Sequence, residues 1–185
     1  MVTKWVLLPI PAQDADSIEL DIAERQRKRG EPTSPSAGEL SDDELASEML
    51  RRTTFGAFIP WPESALERLA AATTETTRRW SIVMTLCAEN PGTLFSTTDI
   101  SERTELTIEE WRTACRHITP HLRKHYKDAP LWGPGSYEGS TEWPLVTMSG
   151  RQLKLRHELH VGITEEQAQR WLTVLDRTTQ NGALP

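Results

Sequence analysis

Basic residues are concentrated in segment 111–126, WRTACRHITPHLRKHY, which contains no acidic residue. If this segment is a helix with 3.6 residues per turn, Arg112, Arg116 and Arg123 form one narrow stripe that points outward. A guanidinium can donate two hydrogen bonds to the edge of a guanine base or to a phosphate. The stripe therefore predicts contact with duplex DNA. The alternative is a solvated helix face, although such a face normally alternates acidic and basic residues.

The same helix has an apolar face, which predicts burial against a core. That face is formed by Trp111, Cys115, Ile118, Leu122 and Tyr126. Thr113 and Lys124 lie at the far side of the exposed face and are included in the predicted DNA contact. Pro120 has no backbone N–H to donate, so it predicts a kink in the helix or an early end. If the helix ends early, the stripe consists of Arg112 and Arg116 alone.

Three histidines of this segment, His117, His121 and His125, recur every four residues, a spacing that can place two imidazoles on one metal ion. They lie along the edge of the apolar face, so we interpret them as boundary residues and predict no metal site. His157 and His160 lie three residues apart on a predicted strand. They would face opposite sides of that strand and make a poor metal-binding pair.

The chain has a net charge of −6, but the charge is unevenly distributed. Residues 111–160 include eight basic and four acidic residues, whereas residues 1–60 and 61–110 are both net negative. A negative total argues against a nonspecific binder of polyanions. It leaves room for a local phosphate-binding face within the basic window.

The first 40 residues have the composition of a weakly structured segment. KWVLLPI could form a short strand, and ERQRKRGEPTSPSAGE reads as a charged linker rich in Pro, Ser and Gly. The basic run 25–29 within it could be a minor-groove arm, but acids flank it and favour a solvated linker. SDDELASEMLRRT then predicts a helix, with Ser41 as its N-cap and Glu44 completing a capping box.

An apolar connector, FGAFIPWP, follows this helix. Its two prolines disfavour a continued helix. Its large apolar residues could pack on the main domain or contact a partner protein. They are Phe55, Phe58, Ile59 and Trp61.

The elements predicted from residue 63 onward are a long helix with a break near its threonines, a short strand, a short helix, a longer helix, a β-hairpin and a final helix. Thr97 or Thr98 is expected to cap the short helix. Thr107 and Glu110 form the capping box of the longer helix. In the final helix, Thr164 is the expected cap, with a glutamine at the capping-box position.

The hairpin is predicted from WPLVTM and QLKLRHELHV, joined at Ser149 and Gly150. On its second strand leucines alternate with charged residues, so the apolar side faces the core and Lys154 and Arg156 face outward. Arg151 lies at the turn. This basic side could touch DNA, or it could protect an exposed strand edge from aggregation.

This order of elements over residues 77–175, about half of the chain, resembles the winged helix-turn-helix family. The WP that opens the hairpin after HLRKHY is similar to small winged-helix modules of actinobacterial proteins. The resemblance implies a mainly α fold with a small β-hairpin (α+β) and an N-terminal helical and extended extension. It also implies a transcriptional regulator whose third helix, 107–126, enters the major groove while the wing contacts the backbone.

The predicted domain organisation is an N-terminal arm and helix over 1–60, partly flexible, a winged-helix domain over 61–178 and a disordered tail over 179–185. Double-stranded DNA is the expected partner, with a homodimer that reads two half-sites. The predicted DNA contacts are Arg112, Thr113, Arg116, Arg123, Lys124, Arg151, Lys154 and Arg156. The alternative is a winged-helix protein-interaction module, an adaptor or a subunit of a larger complex, that meets a protein partner through residues 1–61 and binds no DNA.

Other classes of protein have little support in the sequence. There is no P-loop, no Gly-rich dinucleotide turn, no nucleophile motif and no metal-ligand cluster, so we predict neither an enzyme nor a cofactor. No run of about 18 apolar residues is present, which argues against a membrane span. Two cysteines far apart in sequence, Cys87 and Cys115, are typical of reduced thiols and favour a cytoplasmic protein.

Overall fold

The computed structural model describes residues 10, 12–30, 42–132 and 139–182. It divides into two compact units, Met1–Ala46 and Ser47–Pro185. The described part is mainly helical and has one small antiparallel sheet. Its helices are α1 (Ala12–Arg29), α2 (Asp42–Ala57), α3 (Glu63–Ala71), α4 (Glu75–Ala88), α5 (Thr97–Arg103), α6 (Ile108–His125) and α7 (Glu165–Gly182), and its strands are β1 (Phe95–Ser96), β2 (Val146–Ser149) and β3 (Leu159–Gly162).

In the first unit, α1 occupies much of the segment that was expected to be weakly structured. The charged stretch that the sequence assigned to a linker is helical up to Arg29. An acidic first turn and a basic last turn match the helix dipole, and Lys28 pairs with Glu24 at 2.8 Å. Gly30 ends the helix in the left-handed conformation, at φ 69°. The predicted strand KWVLLPI, the Pro- and Ser-rich end of the linker and the Ser41 cap lie outside the described residues.

The predicted connector after α2 is partly helical and largely buried. The helix runs to Ala57 and so includes the first three residues of FGAFIPWP. Phe58 is 8% exposed and Trp61 is fully buried, whereas Ile59 remains exposed. The division between the compact units falls within α2, so these apolar residues belong to the second unit. Of the two roles expected for the connector, packing on the main domain is the one observed.

Four tryptophans form the centre of the second unit's core. Trp61, Trp80, Trp111 and Trp171 are almost completely removed from solvent, and helices α3, α4, α6 and α7 supply most of the residues around them. The rings of Trp80 and Trp111 lie 4.9 Å apart in a tilted arrangement. Aromatic side chains bury large apolar areas, so this cluster accounts for much of the core's stabilisation.

The helix boundaries agree with the sequence in most places. The expected break near the threonines separates α3 from α4 at residues 72–74. Thr107 and Glu110 form the expected capping box of α6. For α5 the expected caps are wrong, since Ser96 is the N-cap and shares a capping box with Asp99. The hydroxyl of Ser96 accepts from the Asp99 N–H at 3.0 Å, and the Asp99 carboxylate accepts from the Ser96 N–H at 2.8 Å.

Helix α6 continues through Pro120 to His125, so the early end that the proline suggested is wrong. Ile118 and Leu122, on either side of the proline, are both fully buried. Their packing outweighs the one hydrogen bond that the missing N–H removes. As a result Arg123 stays on the same helix as the rest of the stripe.

The sheet has the strand order β1–β3–β2, and all pairs are antiparallel. Phe95 pairs with Val161, and the β2–β3 ladder runs from Val146 opposite Gly162 to Ser149 opposite Leu159. The predicted second strand is wrong over most of its length. Residues 150–158 form an irregular connection, here named the hairpin loop, and the strand begins only at Leu159.

Two residues explain the irregular hairpin loop. Gly150 lies so close to the Arg156 carbonyl that an added Cβ would overlap it, and its N–H donates to the Glu158 carbonyl at 2.8 Å. Lys154 has φ 55°, a left-handed conformation that a strand excludes. The alternation of leucines with charged residues therefore does not describe a strand: Leu153 is buried, while Leu155 is exposed.

Helix α7 begins with the expected cap, since the Thr164 hydroxyl accepts from the Gln167 N–H at 3.2 Å. The glutamine side chain does not complete a capping box. Its oxygen accepts from the Trp61 N–H at 2.8 Å, and its nitrogen donates to the Pro144 carbonyl at 3.2 Å. The helix extends to Gly182 and so includes residues 179–182, which the sequence assigned to a tail.

Candidate nucleic-acid interface

Helix α6 presents its predicted basic residues on the surface. The side chains of Arg112, Arg116, Arg123 and Lys124 are exposed, and Thr113 is half-buried. Its opposite face enters the core. The buried residues of α6 are Trp111, Ala114, Ile118 and Leu122. Cys115, expected on the apolar face, is only half-buried, and Ala114 takes a place in the core that the sequence reasoning missed.

Arg116 already has an acidic partner. Its guanidinium donates to the Glu109 carboxylate at 2.6 Å and to the Thr113 hydroxyl at 2.8 Å. Glu109 lies two turns earlier on the same helix, just outside the acid-free segment. The Arg116 hydrogen bond lowers the pKa of Glu109. Because both side chains are more than 60% exposed, the pair contributes little and can exchange for another anion.

Arg112 and Arg123 are less constrained. In the described part of the chain, Arg112 makes no hydrogen bond and no ion pair within 4 Å; Glu109 acts on it only at longer range. Arg123 donates a long hydrogen bond to the Ser140 hydroxyl at 3.5 Å. Both guanidiniums can therefore turn toward a ligand without losing a strong partner.

The hairpin loop also carries exposed cations. Arg151, Lys154 and Arg156 all lie on its surface. Their geometry differs from the expected one, because they project from an irregular loop and not from one face of a strand. Leu155, between two of them, is 55% exposed.

Three contacts hold the hairpin loop in place. Leu153 is buried in a small cluster that includes Phe58. Its carbonyl accepts from the Ser47 hydroxyl at 3.1 Å, which ties the loop to α2. At the other end of the loop, the Glu158 carboxylate accepts from the Thr98 N–H at 2.9 Å and from its hydroxyl at 2.8 Å. These bonds lower the pKa of Glu158, so its carboxylate is held ionised against α5.

A cleft of about 300 Å³ lies between α6 and the end of the hairpin loop; we name it the helix–loop cleft. Arg112 and Arg116 line it from the helix, and His157 and Glu158 line it from the loop. Trp111, Cys115, Thr97 and Leu159 complete the lining. The structure thus brings two of the predicted α6 cations onto one surface with the hairpin loop, which sequence spacing alone could not establish.

The histidines show no shared metal geometry. Among the described residues, no group of three or more His, Cys, Asp or Glu side chains could hold a metal ion. The rings of His121 and His125 lie 4.8 Å apart, and burial, then the neighbouring His125, lowers the pKa of His121. His160 is buried in β3, whereas His157 is exposed in the hairpin loop, so the expectation that both lie on one strand is wrong.

Both cysteines are free thiols. Burial raises the pKa of Cys87 and of Cys115 to about 12, so neither is a thiolate at neutral pH. Within the described ranges, no helix is long and apolar enough to cross a membrane. Comparison of the chain with protein-family models, curated proteins and solved structures gave no match.

Proposed function

We propose that this chain is a winged-helix DNA-binding protein that acts as a transcriptional regulator. In this proposal α6 enters the major groove and the hairpin loop is the wing that contacts the backbone. The observation that carries it is the helix–loop cleft, where Arg112 and Arg116 meet the end of the basic loop. In this proposal the helix and the loop follow adjacent parts of a duplex.

The order of elements supports a winged-helix assignment. From α4 onward the chain passes through β1, α5, α6, β2 and β3, and β1 lies beside β3 at the sheet edge opposite β2. A four-residue turn, 104–107, joins α5 to α6, as in a helix-turn-helix pair. The same topology makes α6 the third helix of the module when α4 is counted first.

The exposed cations have distinct expected roles. Arg112 lies at the start of the second turn of α6, after its acids, and has no competing ion pair among the described residues, so it is the favoured reader of a guanine edge. Arg116 would exchange Glu109 for a phosphate. Arg151 and Arg156, on the hairpin loop, would position the protein on the backbone without reading sequence.

The protein-interaction alternative is supported by the acidic first 110 residues and by the apolar residues of FGAFIPWP. Of the apolar residues, Phe58 and Trp61 are buried in the second unit, whereas Ile59 is 56% exposed. The negative net charge remains compatible with a protein partner, and it would slow association with DNA. The proposal therefore requires that the basic surface attract DNA at short range in spite of the negative net charge of the chain.

A binding experiment with matched variants tests the proposal. Fluorescence anisotropy would measure binding of a labelled random-sequence duplex at about 50 and about 200 mM salt, since phosphate contacts release counterions and weaken steeply with salt. Arg112→Ala with Arg116→Ala should reduce affinity at least about tenfold. The control, Lys127→Ala with Arg177→Ala, removes the same charge from exposed positions away from the cleft.

Two results would contradict the proposal. If the wild-type chain retains no duplex at the lower salt concentration, DNA binding is wrong. If the duplex is bound but both double variants lower its affinity equally, the arginines contribute only through net charge, and the assignment of α6 as the DNA-binding helix is wrong.

A further inference from the structure

The helix–loop cleft combines charge with a buried apolar wall. Arg112 and Arg116 in its lining are exposed, whereas Trp111, also in the lining, is 1% exposed. Leu159 and Cys115, both half-buried, extend the apolar part of the lining. A DNA phosphate could use the two arginines, but it has no apolar group to place against the apolar part of the lining. The lining suits an anion that also carries an apolar body.

The polar groups of the cleft indicate the charge of such a ligand. Two guanidiniums line it, and Glu158 is its one carboxylate among the described residues. Because that carboxylate is already bound by Thr98, it is held toward α5. Arg112 has no ion pair among the described residues and Arg116 is paired with Glu109, so the lining suits a ligand with a single negative charge that Arg116 joins by exchanging Glu109. A planar carboxylate matches the forked donors of arginine.

Trp111, one of the lining residues, carries a polar group without a partner in the described part of the chain. Its indole N–H is buried and has no hydrogen-bond acceptor among the described residues. Buried donors without a partner are rare in folded proteins and call for a water or a ligand. The Trp61 indole N–H and the Arg79 Nε, which do not line the cleft, are also buried without an acceptor among the described residues. The Trp80 indole donates to the Ala114 carbonyl at 3.3 Å, and the Trp171 indole to the Thr85 hydroxyl at 3.1 Å.

The size of the cleft limits the ligand further. About 300 Å³ is at the lower end of the range for small-molecule sites, so one ring with one acidic group would fill it. We infer that the helix–loop cleft binds a small aromatic monocarboxylate, with its carboxylate on Arg112 and Arg116 and its ring against Trp111 and Leu159. Both arginines also belong to the proposed DNA surface. If that proposed function holds, on which this step rests, the ligand and the duplex should compete for them.

Benzoate is the probe for this site, and benzamide is a neutral molecule of the same shape. Titration of the full chain, followed by calorimetry and by tryptophan fluorescence, should show saturable benzoate binding in the millimolar range or tighter, with much weaker binding of benzamide. Arg112→Ala should lower benzoate affinity about tenfold, and Arg112→Lys should restore part of it, because a lysine keeps the charge but not the fork. Lys127→Ala should leave it unchanged.

Other outcomes would overturn the site. Equal binding of benzoate and benzamide would remove the role of the arginines. Equal binding of benzoate and inorganic phosphate would show that the apolar part of the lining does not contribute to binding. Loss of affinity in Lys127→Ala to the same extent as in Arg112→Ala would reduce the effect to net charge.

A second arm separates this inference from the proposed function. Benzoate should displace a bound duplex from the wild-type chain, as measured by anisotropy at constant ionic strength. If benzoate binds in an Arg112-dependent way and no duplex binds, the DNA function fails and the ligand site stands. If the duplex binds through Arg112 and benzoate does not bind, the ligand site fails. If both bind without competition, the shared use of the two arginines is wrong.

Discussion

The exposed cations of α6 and those of the hairpin loop are held in place by different kinds of contact. In α6 a continuous face of buried residues fixes the helix, and the helical repeat then places the arginines on the exposed face. In the hairpin loop the backbone is irregular, and Leu153, Gly150 and Glu158 each hold it through one local contact. The two halves of the proposed interface should therefore respond differently to single substitutions.

The difference has a physical basis. A helix face shares its stabilisation among many contacts, and it moves only when the core is damaged. A loop held at a few points can shift when one of them is lost, while the rest of the fold persists. We expect α6 to set the position of the interface and the loop to set its shape.

The largest expected effect is the loss of stability caused by Trp111→Ala, which removes part of the buried face of α6. Loss of a fully buried indole should lower the free energy of unfolding by about 3–5 kcal/mol. Urea denaturation followed by circular dichroism measures this. Ile108→Ala, at a partly exposed position on the same helix, is the control and should cost less than about 1 kcal/mol. Similar losses in the two variants would show that α6 is not fixed by its buried face.

On the loop side, Gly150→Ala should have the next largest effect. Its Cβ would overlap the Arg156 carbonyl, so the loop must rearrange, at a cost of about 1–3 kcal/mol. Gly56→Ala is the matched control, because a Cβ there meets no atom within 4 Å and the residue is helical. Urea denaturation of the two variants gives the comparison, and a neutral Gly150→Ala would contradict the close packing of this loop.

Glu142, which precedes a tryptophan whose indole donates to Thr119 of α6, offers a pH-dependent test. Burial raises its pKa to about 7, so between its ordinary range and that value the folded chain retains a proton that the unfolded chain has released. The folded state therefore loses stability as pH rises through this window. Glu142→Gln should be more stable than the wild type by roughly 1–2 kcal/mol at about pH 8, and by less at about pH 5.

Thermal or urea denaturation at both pH values measures the Glu142 effect. Glu102→Gln, at an exposed position of α5, should change the unfolding free energy by less than about 0.5 kcal/mol at either pH. An advantage of Glu142→Gln that does not grow with pH would mean that the carboxyl is not buried in the charged state.

The smallest expected change is Ser47→Ala, which removes the hydrogen bond from α2 to the Leu153 carbonyl. The stability loss should be about 1 kcal/mol. Hydrogen exchange should accelerate in the hairpin loop and stay unchanged in α6. If exchange accelerates equally in both regions, they are not held independently and the comparison fails. Thr53→Ala, at an exposed position of the same helix, is the control.

The features that sequence reasoning placed correctly are local ones. The Thr107–Glu110 capping box and the periodic apolar face define α6 within a few residues. The break between α3 and α4 follows from the run of threonines, and the short strand expected just before the short helix is β1. Each of these depends on neighbours within about one turn of helix or one strand.

The features that it missed depend on backbone conformation and on contacts beyond the nearest neighbours in sequence. The charge alternation of the hairpin loop resembles a strand, but Gly150 and the left-handed Lys154 give it another path. The ion pair of Arg116 joins residues seven apart, beyond the usual three- or four-residue spacing. For Trp61 the sequence left open packing on the main domain or contact with a partner. The hydrogen bond from its N–H to Gln167, 106 residues away, is one that no local pattern could reveal.

The amide of Gln167 has a consequence for how the second unit unfolds. It is fully buried, and it joins α7 to the backbone just before α3 and to the backbone just before β2. When α7 detaches, two buried backbone groups lose their partner at once, in segments more than 80 residues apart in sequence. Separate loss of the helices or of the hairpin is thereby disfavoured, and the unit is expected to melt as one cooperative block.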